Sequence, residues 1–238
     1  MYRQYINLMG AGGGASTLWN GLQAYYTADN NPNDVLSNTN GTLVNGATYG
    51  TGIINQGFSL DGANDYVDLG DNFDIGLESW SYNFWVNMDT INRSNSILTK
   101  SDSANNWQRW WFRVNPSNKL EFHLQNGTNN VTNRKFFKST QSLNASTWYM
   151  VTVVLDRTDK CYMYINGVPE TIVSTDGNGT SITNDLLAWN AFNFNTGFNS
   201  CIGNFSTANM PFDGIIDEGA IWNRVLTPSE VTELYNGG

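Results

Sequence analysis

Short segments of alternating apolar residues return about every ten positions along this chain, each closed by a cluster of Gly, Asn or Asp. No other feature constrains the fold as strongly. Apolar side chains at every second position put one side of an extended segment against a core, and the Gly/Asn punctuation turns the chain before a helix can develop. LQAYYT (22–27), GFSLDG (57–62), YVDLG (66–70), WSYNFWVN (80–87), SILTK (96–100) and QRWWFRV (108–114) read as strands. So do KLEFHL (119–124), WYMVTVVLD (148–156), CYMYING (161–167), SCIGNF (200–205) and GIIDEGAIWNR (214–224). In the fourth, Trp80, Tyr82, Phe84 and Val86 share one side, opposite Ser81, Asn83, Trp85 and Asn87. In KLEFHL, Leu120, Phe122 and Leu124 oppose Glu121, His123 and Gln125. Such alternation suits a sheet that packs one side on a core and turns the other to water.

One helical signal stands out, at the C-terminus. Thr227-Pro228-Ser229-Glu230 offers a capping hydroxyl, a proline at the first helical position and an acid in the first turn, and the segment stops at Asn236-Gly237-Gly238. Near the N-terminus, Gly10, Gly12, Gly13 and Gly14 make residues 1–16 read as a flexible tether or anchor ahead of one folded domain over 17–238. Eleven or more strands with one terminal helix imply an all-β fold of two packed antiparallel sheets.

Composition narrows the function. The chain holds 35 Asn and only 14% charged residues, a balance that favours turns over helices. A net charge of −9 argues against nucleic acid or an anionic membrane as partner. No run approaches the roughly 20 apolar residues of a membrane span. The first residues lack the pattern of a secretory signal. Cys161 and Cys201 make no disulfide framework; two buried thiols is the simpler reading, one bridge the alternative.

Four segments, in order, resemble the laminin-G-like jelly-roll family, part of the concanavalin A-like lectin/glucanase superfamily and related to the pentraxins. They are GLQAYYTADN with NGTLVNGATYG (21–50), GFSLDGANDYVDLG (57–70), STWYMVTVVLDRTDKCYMYINGVPE (146–170) and IGNFSTANMPFDGIIDEGAIWNRVLTPSEVTELY (202–235). The resemblance spans roughly residues 18–236 and implies a two-sheet antiparallel jelly-roll sandwich with a short C-terminal helix. It also implies that the last long strand pairs beside LQAYYT and that the helix covers an end of the sandwich. Members often hold calcium, and the resemblance points to Asp29 and Asp217 as its ligands. Local hydrogen bonding by both is the competing reading, and Asp61 and Asp65 read as turn formers.

The sandwich by itself names no activity. Glucanases of this superfamily carry a Glu-x-Asp-x-(x)-Glu triplet on one strand, and this chain has none. Asp213, Asp217 and Glu218 come nearest, but Asp217 and Glu218 are adjacent, which on a regular strand turns them to opposite sides. His123 is the single histidine and has no serine-nucleophile motif to serve, so it reads as a water-facing cross-strand residue. The segment NNWQRWWFRV is the best candidate for binding. Alternation groups Trp107, Arg109, Trp111 and Arg113 on one side, beside Glu121, His123 and Gln125, while Trp110, Phe112 and Val114 face the core. Rings and guanidiniums together suit sugar faces and hydroxyls, with Asn126, Asn129 and Asn130 as further donors; a subunit contact or simple cover for the sheet is the competing reading.

A non-catalytic carbohydrate-binding or adhesion module on a phage particle is therefore expected, with a glycan or host-surface polysaccharide as partner and a virion surface or extracellular setting. The Gly-rich arm would meet other virion or surface proteins, and a homo-oligomer is open. A structural decoration or fibre-head role without a glycan is the alternative, with a glycoside hydrolase a distant third.

Overall fold

In a computed structural model the described residues are 16–101, 109–127, 130, 133–189, 191–204 and 210–237. The tether over 1–16 lies outside them except for Ser16, and so do Trp107 and Asn129. The first strands are β1 (Leu22–Tyr26), β2 (Thr42–Val44), β3 (Thr48–Thr51), β4 (Gln56–Asp61), β5 (Tyr66–Asp68) and β6 (Trp80–Met88). Next come β7 (Asn95–Lys100), β8 (Arg109–Val114), β9 (Lys119–Gln125), β10 (Arg134–Ser142) and β11 (Trp148–Leu155). The last are β12 (Cys161–Ile165), β13 (Val168–Pro169), β14 (Ile172–Thr175), β15 (Ser200–Ile202) and β16 (Asp213–Trp222), followed by helix α1 (Pro228–Gly237).

All pairings are antiparallel and build two sheets. The first runs β13-β12-β11-β6-β16-β4-β3, with β1 also on β16; the second runs β14-β10-β9-β8-β7-β15-β5-β2. Strand β1 lies along the second half of β16, joining the two ends of the domain as expected. The apolar alternation predicted the inward sides correctly. Tyr82 and Phe84 of the first sheet meet Trp110, Phe122 and Phe112 of the second, with ring centroids 5.2, 6.0 and 6.4 Å apart in the pairs Tyr82–Trp110, Tyr82–Phe122 and Phe84–Phe112. Each such ring, removed from water, contributes roughly 2–3 kcal/mol. Among the described residues no helix is long and apolar enough to cross a membrane.

The helix sits elsewhere than expected. It lies on the outer face of the first sheet, not over an end of the sandwich. Tyr235 stacks on Trp85 at 5.8 Å, and Val231 joins Leu18, Tyr25, Trp85, Met150 and Trp222 in a second apolar cluster. Trp85 and Trp222 are large apolar side chains on the side of their strands away from the core, so they need a cover, and α1 supplies it. Its start is a capping box: Thr227 Oγ1 accepts from Glu230 N at 3.3 Å while Glu230 Oε2 accepts from Thr227 N at 2.8 Å. Both cysteines are buried and unbridged, Cys161 on the inner side of the first sheet and Cys201 on β15 of the second.

Strand β10 was not foreseen. Its residues RKFFKS send Lys135, Phe137 and Ser139 inward and Arg134, Phe136 and Lys138 outward. Only one of the three inward positions is apolar, so the period of two is hidden. The inward Lys135 is satisfied at the core's edge, where Nζ donates to the Asp185 carbonyl at 2.6 Å and lies 5.5 Å from the Trp189 ring.

Candidate functional site

The strand register decides which outward-facing side chains of the second sheet become neighbours. Thr175, Phe136, His123, Trp111, Thr99, Cys201 and Asp68 stand in one cross-strand row from β14 to β5. On one side of it Arg109, Gln125 and Arg134 form a second row, and on the other Ser96, Arg113, Glu121 and Lys138 form a third. The grouping of Arg109, Trp111 and Arg113 beside Glu121, His123 and Gln125 is thus present in space. Trp107 lies outside the described residues.

The exposure of this group differs from expectation. Trp111 is only 8% exposed and His123 0%. The imidazole lies against the indole at 3.6 Å, with Phe136 at 4.4 Å from the imidazole, and Trp111 has the Arg109 and Arg113 guanidiniums 5.5 and 5.3 Å from its centroid. Four neighbours around one ring leave little of it to water, so Trp111 organises its surroundings instead of presenting a bare face. His123 is correspondingly not a water-facing residue. Its two ring nitrogens have no hydrogen-bond partner. Burial first, and then the positive charges of Arg109, Arg113 and Arg134, hold its pKa well below the usual 6.5, so the ring is neutral at pH 7.

Glu121, 2% exposed, anchors the third row. It accepts from Arg113 Nε at 2.7 Å and Nη2 at 2.6 Å and from Asn115 Nδ2 at 3.0 Å. Arg113 Nη1 reaches Ser94 Oγ at 3.1 Å. In the second row, Arg109 Nε donates to Gln125 Oε1 at 2.8 Å. Desolvation, and then the charge of Arg134, bring the Arg109 pKa down to about 10. Among the partly exposed outward side chains of β8 to β10 are Arg109, Arg113, Lys119, Arg134, Phe136 and Lys138.

The acids on the other sheet are arranged differently again. Asp29 and Asp217 do approach one feature, the turn between β3 and β4, yet they meet it as hydrogen-bond acceptors. Asp29 takes Gln56 N at 3.1 Å and Asn55 Nδ2 at 3.2 Å; Asp217 takes Ile54 N at 3.1 Å and Glu218 N at 2.8 Å. Every carboxylate oxygen of the pair thus accepts an N–H group, which is the local hydrogen bonding set against the calcium reading. Among the described residues no three His, Cys, Asp or Glu gather as a metal site. Asp61 and Asp65 behave as turn formers, accepting from Ala63 N at 2.8 Å and Gly46 N at 2.7 Å.

Asp217 and Glu218 do not face opposite sides. Strand β16 bulges between Asp217 and Ala220, and Glu218 takes a left-handed φ of 47°. Asp217 therefore pairs with Trp85 while Glu218 accepts from the Tyr25 hydroxyl, and both Trp85 and Tyr25 belong to the outer cluster beneath α1. Burial, and then the nearby Glu218, push Asp217 up to about 8. At 1% and 7% exposure the two acids are closed off from a substrate. An extra residue in one strand was not legible from local sequence.

The family model described as the concanavalin A-like lectin/glucanases superfamily (Laminin_G_3) matches residues 61–232. No curated protein matches. Among solved structures, the chain is similar to domain 4 of AbnA, a GH43 extracellular arabinanase from Geobacillus stearothermophilus, in complex with arabinotriose. The TM-score is 0.65 at 22% identity, over 90% of this chain and 98% of that one. It is also similar to the binding domain of botulinum neurotoxin DC in complex with SialylT, at a TM-score of 0.61 and 17% identity, over 91% of this chain and 51% of that one. Trypanosoma rangeli sialidase gives a TM-score of 0.63 at 15% identity, over 96% of this chain and 34% of that one. This chain thus spans about half of the toxin domain and a third of the sialidase chain. At these identities the likeness is one of fold.

Proposed function

This chain belongs to the concanavalin A-like lectin/glucanases superfamily, and from that premise we propose that it is a carbohydrate-binding module without catalysis of its own. The observation that carries the reading is the outer face of β8, β9 and β10. There a fixed aromatic stack, Trp111–His123–Phe136, is edged by partly exposed guanidiniums held by Glu121 and Gln125. Planar donors locked in place beside an apolar ring are the elements that recognise hydroxyls and the C–H faces of sugars. Two of the similar structures support the choice of ligand class, since they were solved with arabinotriose and with SialylT.

A glycan array tests this directly. The wild type binds at least one glycan, and Arg113→Gln and Phe136→Ala each weaken that binding about tenfold, equivalent to one charge-assisted contact. Silence across the whole array, or binding indifferent to both substitutions, overturns the proposal. Release of reducing ends from polysaccharide overturns its non-catalytic part. Display on a particle or cell surface, with residues 1–16 as the arm that meets other surface proteins, belongs to the same proposal. Deleting 1–16 then leaves glycan binding intact but frees the protein from whatever surface carries it; continued attachment would count against the arm.

A further inference from the structure

The outermost strands of the two sheets are not guarded alike. On one side of the sandwich stand β13 and β14. Strand β13 is two residues long, and one of them, Pro169, has no N–H to offer. Strand β14 already meets residues beyond it, through a bridge from Thr175 to Ser181 and a bond from Ile182 N to the Ser174 carbonyl at 3.0 Å. On the other side stand β3, which ends the first sheet, and β2, which ends the second. Among the described residues no strand pairs with the free side of β3. No charged residue lies between Asp34 and Asp61, so neither strand carries the Lys or Glu that commonly blocks an edge.

The ladder shows which groups of β3 are open. Gly52 N donates to the Asn55 carbonyl at 3.1 Å. From there Thr51 pairs with Gln56, Gly50 with Gly57, Tyr49 with Phe58 and Thr48 with Ser59. Bonded and non-bonded pairs alternate in an antiparallel ladder, so Gly50 and Thr48 direct their N–H and C=O to β4. The N–H and C=O of Tyr49 and Thr51 therefore point the other way, to the open edge. Thr48 and Thr51 are exposed, and Tyr49 and Gly50 partly so. By the same alternation Gln56 N points away from β3, and it is there that Asp29 meets the hairpin.

We infer that β3 is a self-association edge, pairing antiparallel with β3 of a second copy about a two-fold axis at Gly50. In that register Tyr49 of each copy pairs with Thr51 of the other. Four backbone bonds form, from groups that the single chain leaves open. The two Gly50 residues meet at the axis as the narrow pair, with no side chain on either. A second copy is the occupant that charge selects. Each chain carries a net −9, so two copies repel over most of their surface, and an uncharged edge is where they touch with the least repulsion. The axis stands perpendicular to the joined sheet, so both copies turn the outer face of their second sheet in one direction. A pair of this kind meets a ligand-bearing surface at two points.

Sedimentation equilibrium of the full chain from roughly 1 to 500 µM tests the pairing. The wild type dimerises within that range, and the dimer strengthens as salt rises from about 50 to 500 mM, because screening relieves the repulsion between two acidic chains. Thr51→Pro removes an edge-directed N–H and no bond within the chain, and Thr48→Glu sets one further acid beside the contact in each copy. Each weakens the dimer about tenfold or more. Unchanged far-UV spectra and thermal midpoints verify that the variants fold; should Thr51→Pro fail to do so, Thr48→Glu decides alone. A wild type that stays monomeric throughout, a dimer that salt weakens, or a folded variant that dimerises like the wild type overturns the inference. Assembly beyond the dimer overturns it as well, since a two-fold pairing of one edge closes on itself. Sugar binding by the single chain is read separately on the glycan array and stands or falls without the dimer.

Discussion

Asp217→Asn probes a carboxyl whose surroundings push its pKa far up. Asp217 is buried beside Glu218, and its pKa rises from 3.8 to about 8 on folding. The folded state therefore holds a proton that the unfolded chain releases. Its contribution to stability is complete below about pH 4, shrinks as pH rises, and is gone above pH 8. Each pH unit in that window removes roughly 1 kcal/mol, or on the order of 5 kcal/mol across the whole of it. Asparagine keeps the shape and never ionises. It can still accept from Ile54 N, but its NH₂ then opposes the Glu218 N–H that Asp217 accepts at 2.8 Å. That mismatch costs about 1–3 kcal/mol at all pH values. Urea unfolding of both proteins from pH 4 to 9 reads the difference directly. The variant is the less stable protein at pH 4, the curves cross, and at pH 8 the variant is the more stable. Taking the difference cancels titrating groups away from Asp217, including His123, whose lowered pKa gives the opposite slope below 6.5. A pH-independent difference would falsify the account of a buried carboxyl carrying its proton at neutral pH.

Other consequences follow from the same structure. His123 is the single histidine, so its NMR signals are unambiguous; they should show a neutral ring at pH 6, and an ordinary titration near 6.5 would mean that the ring is not buried against Trp111. Glu121→Gln weakens the pairing of Arg113 inside a desolvated cluster and should cost about 3 kcal/mol in chemical denaturation; a change under 0.5 kcal/mol would mean the pair is solvated. At Glu230, desolvation raises the pKa, but bonds from Arg224, Thr17 and Thr227 prevail and bring it from 4.5 down to about 2. Its stabilisation is full above 4.5 and lost as pH falls towards 2, and Glu230→Gln should cost about 1 kcal/mol at neutral pH and nothing at pH 2; an equal loss at both would place the effect in packing. Calcium at millimolar concentration, or its removal by a chelator, should leave the melting temperature unchanged, because Asp29 and Asp217 already accept N–H groups; a rise of several degrees that Asp29→Asn abolishes would restore them as ligands.

Local pattern alone determined a good deal of this protein. The side of each strand that faces the core follows from alternation, because a pleated backbone has no choice about where successive side chains point. That held for Trp110, Phe112 and Val114 against Arg109, Trp111 and Arg113, and for Leu120, Phe122 and Leu124 against Glu121, His123 and Gln125. The capping box at Thr227 is likewise a four-residue matter. What alternation does not decide is whether the outward side is wet. Trp111 and His123 lose their water to Phe136 and to guanidiniums from other strands, and β10, which brings Arg134 and Phe136, hides its period behind Lys135 and Ser139. The bulge that turns Asp217 and Glu218 to one side, and the placing of α1 on Trp85, depend on contacts between residues more than a hundred positions apart. Backbone geometry sets which way a side chain points; only the register between distant strands sets what it finds there.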